Sequence, residues 1–161
     1  MKRFILTLVA LVTLLVSATA LAAGAYRDAA AVEAAKQELP AACELIGYKH
    51  DDGKAEMTFL NNETKRYYEV DVSLLTKKVL EVEMKSTNIV GSTMVKLTPA
   101  DIRAIVMDLY PDAVITEIKT DVEYLNTHYE VEFRTAKYRK AELKLNPVTG
   151  AIGKADFEYY R

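Results

Sequence analysis

Apolar side chains recur along the chain with two periods. Over residues 98–110, Ile102, Ile105, Val106 and Leu109 fall at i, i+3, i+4 and i+7, the stripe of an amphipathic helix. Thr98 can cap that helix, Pro99 suits its first position, Asp101 suits its positively polarised first turn, and Pro111 ends it. Residues 28–39 carry a thinner stripe of Val32, Ala35 and Leu39, stopped by Pro40. After each proline the period drops to two. Tyr68, Val70 and Val72 alternate with Tyr67, Glu69 and Asp71; Tyr129, Val131 and Phe133 alternate with Glu130, Glu132 and Arg134.

The segments 43–49, 55–60, 66–72 and 79–84 follow the first proline, and 114–120, 128–134, 139–145 and 151–159 follow the second. Turn formers separate them, such as His50-Asp51-Asp52-Gly53 and Asn146-Pro147-Val148-Thr149-Gly150. The loops are too short for parallel crossovers, so the strands must run antiparallel. The expected class is α+β: two repeats of one helix packed on a four-stranded antiparallel meander, αββββ twice. The units span 23–85 and 98–161, with 86–97 as linker, and each has one face for its helix and one wet, polar face. About ten apolar side chains per unit are marginal against the ordering entropy of each unit, so the two units should pack together.

Residues 1–22 fit a removable signal peptide: Lys2 and Arg3, an apolar run from Phe4 to Val16, then Ala20-Leu21-Ala22 as the cleavage pattern. The mature protein is therefore expected outside the cytoplasm, periplasmic or extracellular, without stable membrane insertion. Cys43 lies too far from the apolar run to be a lipidation site. Beyond the leader, 139 residues carry 19 basic and 23 acidic side chains, which argues against nucleic acid as a partner.

The second unit resembles a PepSY domain, the module of thermolysin-family propeptides and of many small bacterial envelope proteins. The helix ending at Pro111, the Tyr129-Glu130-Val131-Glu132-Phe133 strand and the Asn146–Ile152 hairpin carry the likeness. The first unit keeps Tyr68-Glu69-Val70-Asp71-Val72 but has lysine in Ser73-Leu74-Leu75-Thr76-Lys77-Lys78-Val79 where the family tends to glycine. The whole is thus identified as a tandem PepSY-like protein. It resembles the secreted β-lactamase inhibitory proteins in architecture only. The resemblance implies inhibition, chaperoning or regulation of a secreted peptidase, a metallopeptidase above all.

Candidate chemistry is sparse. Cys43 has only His50 and His128 as bases in the entire chain, so it reads as a small packed residue rather than a nucleophile. His50 with Asp51 and Asp52 reads as a hairpin, and His128 as an edge residue; neither gives a recognised metal spacing. No catalytic residue, metal ligand or cofactor is assigned. The expected function is non-enzymatic protein binding, with hairpin loops occupying a partner's cleft. Tyr67 and Tyr138 serve as exposed anchors, and the acidic rows Glu69/Asp71 and Glu130/Glu132 set register. The alternative is a small-ligand or cation-binding envelope protein using the acidic sheet faces.

Overall fold

The computed structural model describes residues 28–87 and 90–160. The expected signal peptide lies outside the described residues, as do Asn88 and Ile89 of the expected linker. Helix α1 (Ala29–Gln37) is followed by β1 (Cys43–Asp51), β2 (Lys54–Asn61), β3 (Arg66–Ser73) and β4 (Val79–Ser86). Helix α2 (Pro99–Leu109) precedes β5 (Val114–Glu123), β6 (Asn126–Arg134), β7 (Tyr138–Leu145) and β8 (Ile152–Tyr159).

Both helices start on side-chain caps. Asp28 accepts from the Ala31 amide at 3.0 Å. Thr98 and Asp101 cap reciprocally, with Thr98 N donating to the Asp101 carboxylate at 2.8 Å and Asp101 N to Thr98 Oγ1 at 3.3 Å. Ala31 and Ala35 of α1 are fully buried, as are Ile102 and Val106 of α2, while Leu109 at the end of the expected stripe is half exposed.

The eight strands form one open antiparallel sheet in the order β1-β2-β3-β4-β8-β7-β6-β5. This corrects the expectation of two separate meanders. Each meander would leave the outer edge of its last strand unpaired, and here the two edges satisfy each other. Val82 pairs with Phe157, Glu83 with Asp156 and Met84 with Ala155 across the β4–β8 seam. The outermost strands each carry a bulge, at Leu45/Gly47 in β1 and Ile115/Glu117 in β5, which disfavours further pairing at either edge.

The core lies on the face that carries the helices. Met57, Phe59, Val70, Val72, Val131, Phe133, Leu143 and Leu145 are all essentially inaccessible. An aromatic cluster closes this face beside the seam: Tyr110 stacks on Phe133 at 4.9 Å and Tyr138 on Phe157 at 4.7 Å. Glu38, just past α1, accepts from Tyr159 Oη at 2.8 Å and Lys137 Nζ at 2.6 Å, so the C-terminal end of α1 is tied to β8 and the β6–β7 turn.

The turns explain the lysine in the first half. Gly150 sits at φ +72°, and its amide donates to the Asn146 carbonyl at 2.9 Å. Lys77 repeats the arrangement at φ +56°, donating to Ser73 O at 2.9 Å. Its ammonium bonds the Leu74 carbonyl and pairs with the α1 cap Asp28, contacts that offset the left-handed backbone a side chain disfavours.

Candidate partner-binding surface

Two features stand out on the side of the sheet away from the helices and at its rim. The first is built by cross-strand register. Glu69, Glu83, Asp156, Glu142, Glu132 and Glu117 lie directly opposite one another in succession across β3, β4, β8, β7, β6 and β5. A second row, Glu56, Asp71, Glu81 and Glu158, runs beside it. Like charges placed directly opposite are destabilising, so this arrangement costs stability unless it is neutralised.

Lysines neutralise much of it. Lys85 lies 2.8 Å from Glu83 and 3.2 Å from Glu69, and Lys154 lies 2.9 Å from Glu83. Burial raises the Glu83 carboxyl, yet the bonds from Lys85 and Lys154 outweigh it and hold the group below its ordinary value. Two carboxylates at the seam, Asp156 and Glu81, are not neutralised in this way. Burial, then the charge of Glu83, pushes Asp156 up, and Asp156 Oδ1 is buried without a hydrogen-bond partner. Burial, then the charges of Asp156, Asp71 and Glu158, pushes Glu81 up. Among the described residues Glu81 makes no ion pair. Glu56, Glu69, Asp71, Glu81 and Glu83 line a shallow groove of about 180 Å³ here.

The second feature is the β5–β6 turn. Glu123 pairs with Asn126, leaving Tyr124 and Leu125 as a two-residue loop with both φ angles positive, +49° and +67°. Such turns normally carry Asn, Asp or Gly, and bulky side chains there are outliers. Tyr124 is 90 % exposed and Leu125 87 %, so no packing within the described residues offsets the strain. Val122, 63 % exposed, extends the apolar tip, and Met94 and Val95 of the linker are also more than half exposed.

The expected anchors fare unequally. Tyr67, Glu69 and Asp71 share the polar face of β3, and Tyr67 is 39 % exposed, opposite Leu60 and Lys85. Glu130 and Glu132 lie on the same face across the seam, four strands away. Tyr138 is a correction: a bulge in β7 turns it to the helix face, where it packs against Phe157, Tyr159 and Tyr110. His128 is another. It is not an exposed edge residue but a buried one on β6, opposite Asp121 of β5. Sequence reasoning did not single out Tyr124 and Leu125 as a strained tip, and it read His128 as an edge residue. The two-residue spacing between Glu123 and Asn126 was the available signal for the tip, but a Tyr-Leu pair does not announce a tight turn.

The remaining reactive groups are engaged. Burial raises the Cys43 thiol above its ordinary value, although a bond with Asn61 works the other way. His50 Nε2 lies 3.0 Å from Tyr48 Oη, and the metal-capable groupings among the described residues lie elsewhere than the His50-Asp51-Asp52 loop. Among the described residues no helix is long and apolar enough to cross a membrane.

Residues 96–154 match the model of the PepSY family, described as peptidase propeptide and YPEB domain, over α2, β5, β6, β7 and the start of β8. Among solved structures, the chain is similar to a BLIP-like protein from Bacteroides fragilis, at 18 % identity over 83 % of this chain and 89 % of that one, with a TM-score of 0.34. A DUF2874 family protein from Bacteroides uniformis is similar at 18 % identity over 81 % and 88 %, with a TM-score of 0.34. No curated protein matches the chain.

Proposed function

We propose that this protein is an exported, non-enzymatic binding module that docks the β5–β6 hairpin tip into a cleft of a protein partner. The observation that carries the reading is the strained, solvent-exposed Tyr124–Leu125 turn. Backbone strain with no internal compensation persists where function uses it, and a tyrosine–leucine pair on a rigid hairpin buries area at small entropic cost. The polar sheet face adds charge: a partner bearing lysine or arginine would relieve the unneutralised carboxylates at the seam.

The PepSY match supports a secreted or envelope peptidase as the partner, inhibited, chaperoned or regulated by this chain. We also read residues 23–85 as a diverged unit of the kind that 98–161 form, with 86–97 between them. The repeated element order and the shared Ser73–Lys77 and Asn146–Gly150 turn bonding support that reading.

The test is affinity capture from the host's envelope and extracellular fractions, using the purified protein and a Tyr124→Asn/Leu125→Gly variant. One stoichiometric partner held by the native tip and lost by the variant is expected. Equal capture by both would remove the tip from the interface.

A second reading, a protein that binds a cation or small cationic ligand on the acidic face, is favoured by the orphaned Asp156 Oδ1 and the all-carboxylate groove. A ligand-dependent rise in melting temperature that is lost in Asp156→Asn would support it.

A further inference from the structure

Below the strained tip, Asp121 and His128 are direct cross-strand partners, and Glu130 follows His128 two residues along the same face of β6. One potential ligand atom from each of the three lies within 4.8 Å of the others. His128 is 2 % exposed; its Nε2 is buried without a hydrogen-bond partner and lies 3.8 Å from Asp121 Oδ2. An orphaned buried imidazole nitrogen is costly, and in native proteins such an atom calls for a partner from outside the chain.

We infer that His128 Nε2, Asp121 and Glu130 form a binding site for a divalent transition-metal ion of the zinc class. The donor set decides the class. An imidazole nitrogen with two carboxylates suits zinc and its neighbours, whereas calcium and magnesium take oxygen ligands. Ligands about 2.1 Å from a tetrahedral zinc stand about 3.4 Å apart, so closure needs movements on the order of 1 Å. Asp121 is more than half exposed, and its Oδ1 accepts from Val122 N at 2.8 Å, so the movement falls to Oδ2, the oxygen 3.8 Å from His128 Nε2. Three protein ligands leave a fourth position open to water or to a group from a partner.

The present occupants of the charge are lysines. Lys119 Nζ lies 2.9 Å from Glu130 Oε1, and Lys144 Nζ lies 4.0 Å from Oε2. Each has a second acid to retire to, Glu117 at 3.3 Å for Lys119 and Glu123 at 3.9 Å for Lys144. An ion held here would clamp β5 to β6 just beneath Tyr124 and Leu125 and so pre-order the tip.

The site is tested without any partner, so its failure is separate from failure of the docking reading. The purified protein, stripped with EDTA, is titrated with zinc chloride and, separately, calcium chloride, following heat of binding and the imidazole NMR signals. The chain has only two histidines, His50 and His128, so the signals assign the site directly. One zinc per chain, movement of the His128 signals but not those of His50, and no response to calcium are expected. His128→Gln and Asp121→Asn should each weaken zinc by about tenfold or more. His50→Gln should leave it unchanged, and Lys119→Met, which removes a competitor, should strengthen it. Asp121→Asn keeps the test valid if the buried His128→Gln fails to fold. Equal affinity in Asp121→Asn, movement of the His50 signals alone, or no binding at millimolar zinc would overturn the site.

Discussion

Leu125 occupies in the β5–β6 turn the position that Gly53 occupies in the β1–β2 turn, and both backbones are left-handed, at φ +67° and +78°. The first hairpin closes with Asp52-Gly53, the chemistry that such a two-residue loop calls for. The second asks a tyrosine and a leucine to adopt the same geometry. Replacing Tyr124 and Leu125 by Asn and Gly should therefore stabilise the protein by about 1–2 kcal/mol, because left-handed backbone disfavours both native side chains. Thermal melts check this. A lower melting temperature in the variant would mean that the tip packs natively and would remove the argument for strain.

Phe133, Tyr138 and Tyr67 should respond differently to truncation. Phe133 is fully buried against Tyr110, so Phe133→Ala should cost about 3–5 kcal/mol. Tyr138, packed on Phe157, should cost about 1–3 kcal/mol when truncated, a loss of stability rather than of a surface anchor. Tyr67→Ala should stay within about 0.5 kcal/mol of the native protein. Denaturant midpoints for the three variants give the order directly, and a silent Tyr138→Ala would return that residue to the surface.

The alternation of Tyr68/Val70/Val72 and Tyr129/Val131/Phe133 made the buried face legible, because a period of two fixes the side of every strand residue at once. Helix caps were legible for the same local reason: Thr98 and Asp101 act within one turn of each other. The β4–β8 seam was not, since Val82 and Phe157 pair across nearly half the length of the chain and leave no local mark. Tyr138 was misplaced because a bulge between it and Lys140 breaks the alternation that the rest of β7 keeps. His128 has the parity of a wet-face residue and is buried nonetheless, a fact of tertiary covering that alternation does not encode.

Cys43 should be slow to react. Burial holds its thiol above the ordinary value despite the bond from Asn61, so little thiolate is present near neutral pH. A thiol reagent should label the folded protein slowly and the denatured protein promptly. Rapid labelling of the native state would show an activated thiol and reopen nucleophilic chemistry at this position.

Asp156 and Glu81 make the seam pH-sensitive in a direction opposite to most carboxylates. Burial and neighbouring acids raise both groups above their ordinary values of 3.8 and 4.5, so the folded state binds protons there more readily than the unfolded chain. Their contribution therefore falls as pH rises from the ordinary carboxyl range through the folded values, and it remains unfavourable at neutral pH. Glu83 works the other way: its lowered value stabilises the fold above 4.5 and is lost on acidification. Asp156→Asn and Glu81→Gln should each raise stability by about 0.5–1 kcal/mol near pH 7, with the gain vanishing below the ordinary carboxyl range. Because the charge of Asp156 is among the causes of the Glu81 shift, the double variant should gain less than the two single gains combined. Melting temperatures of the four proteins at neutral and acidic pH decide it. Strict additivity, or a gain that persists in acid, would show that the substitutions act through packing rather than through charge at the seam.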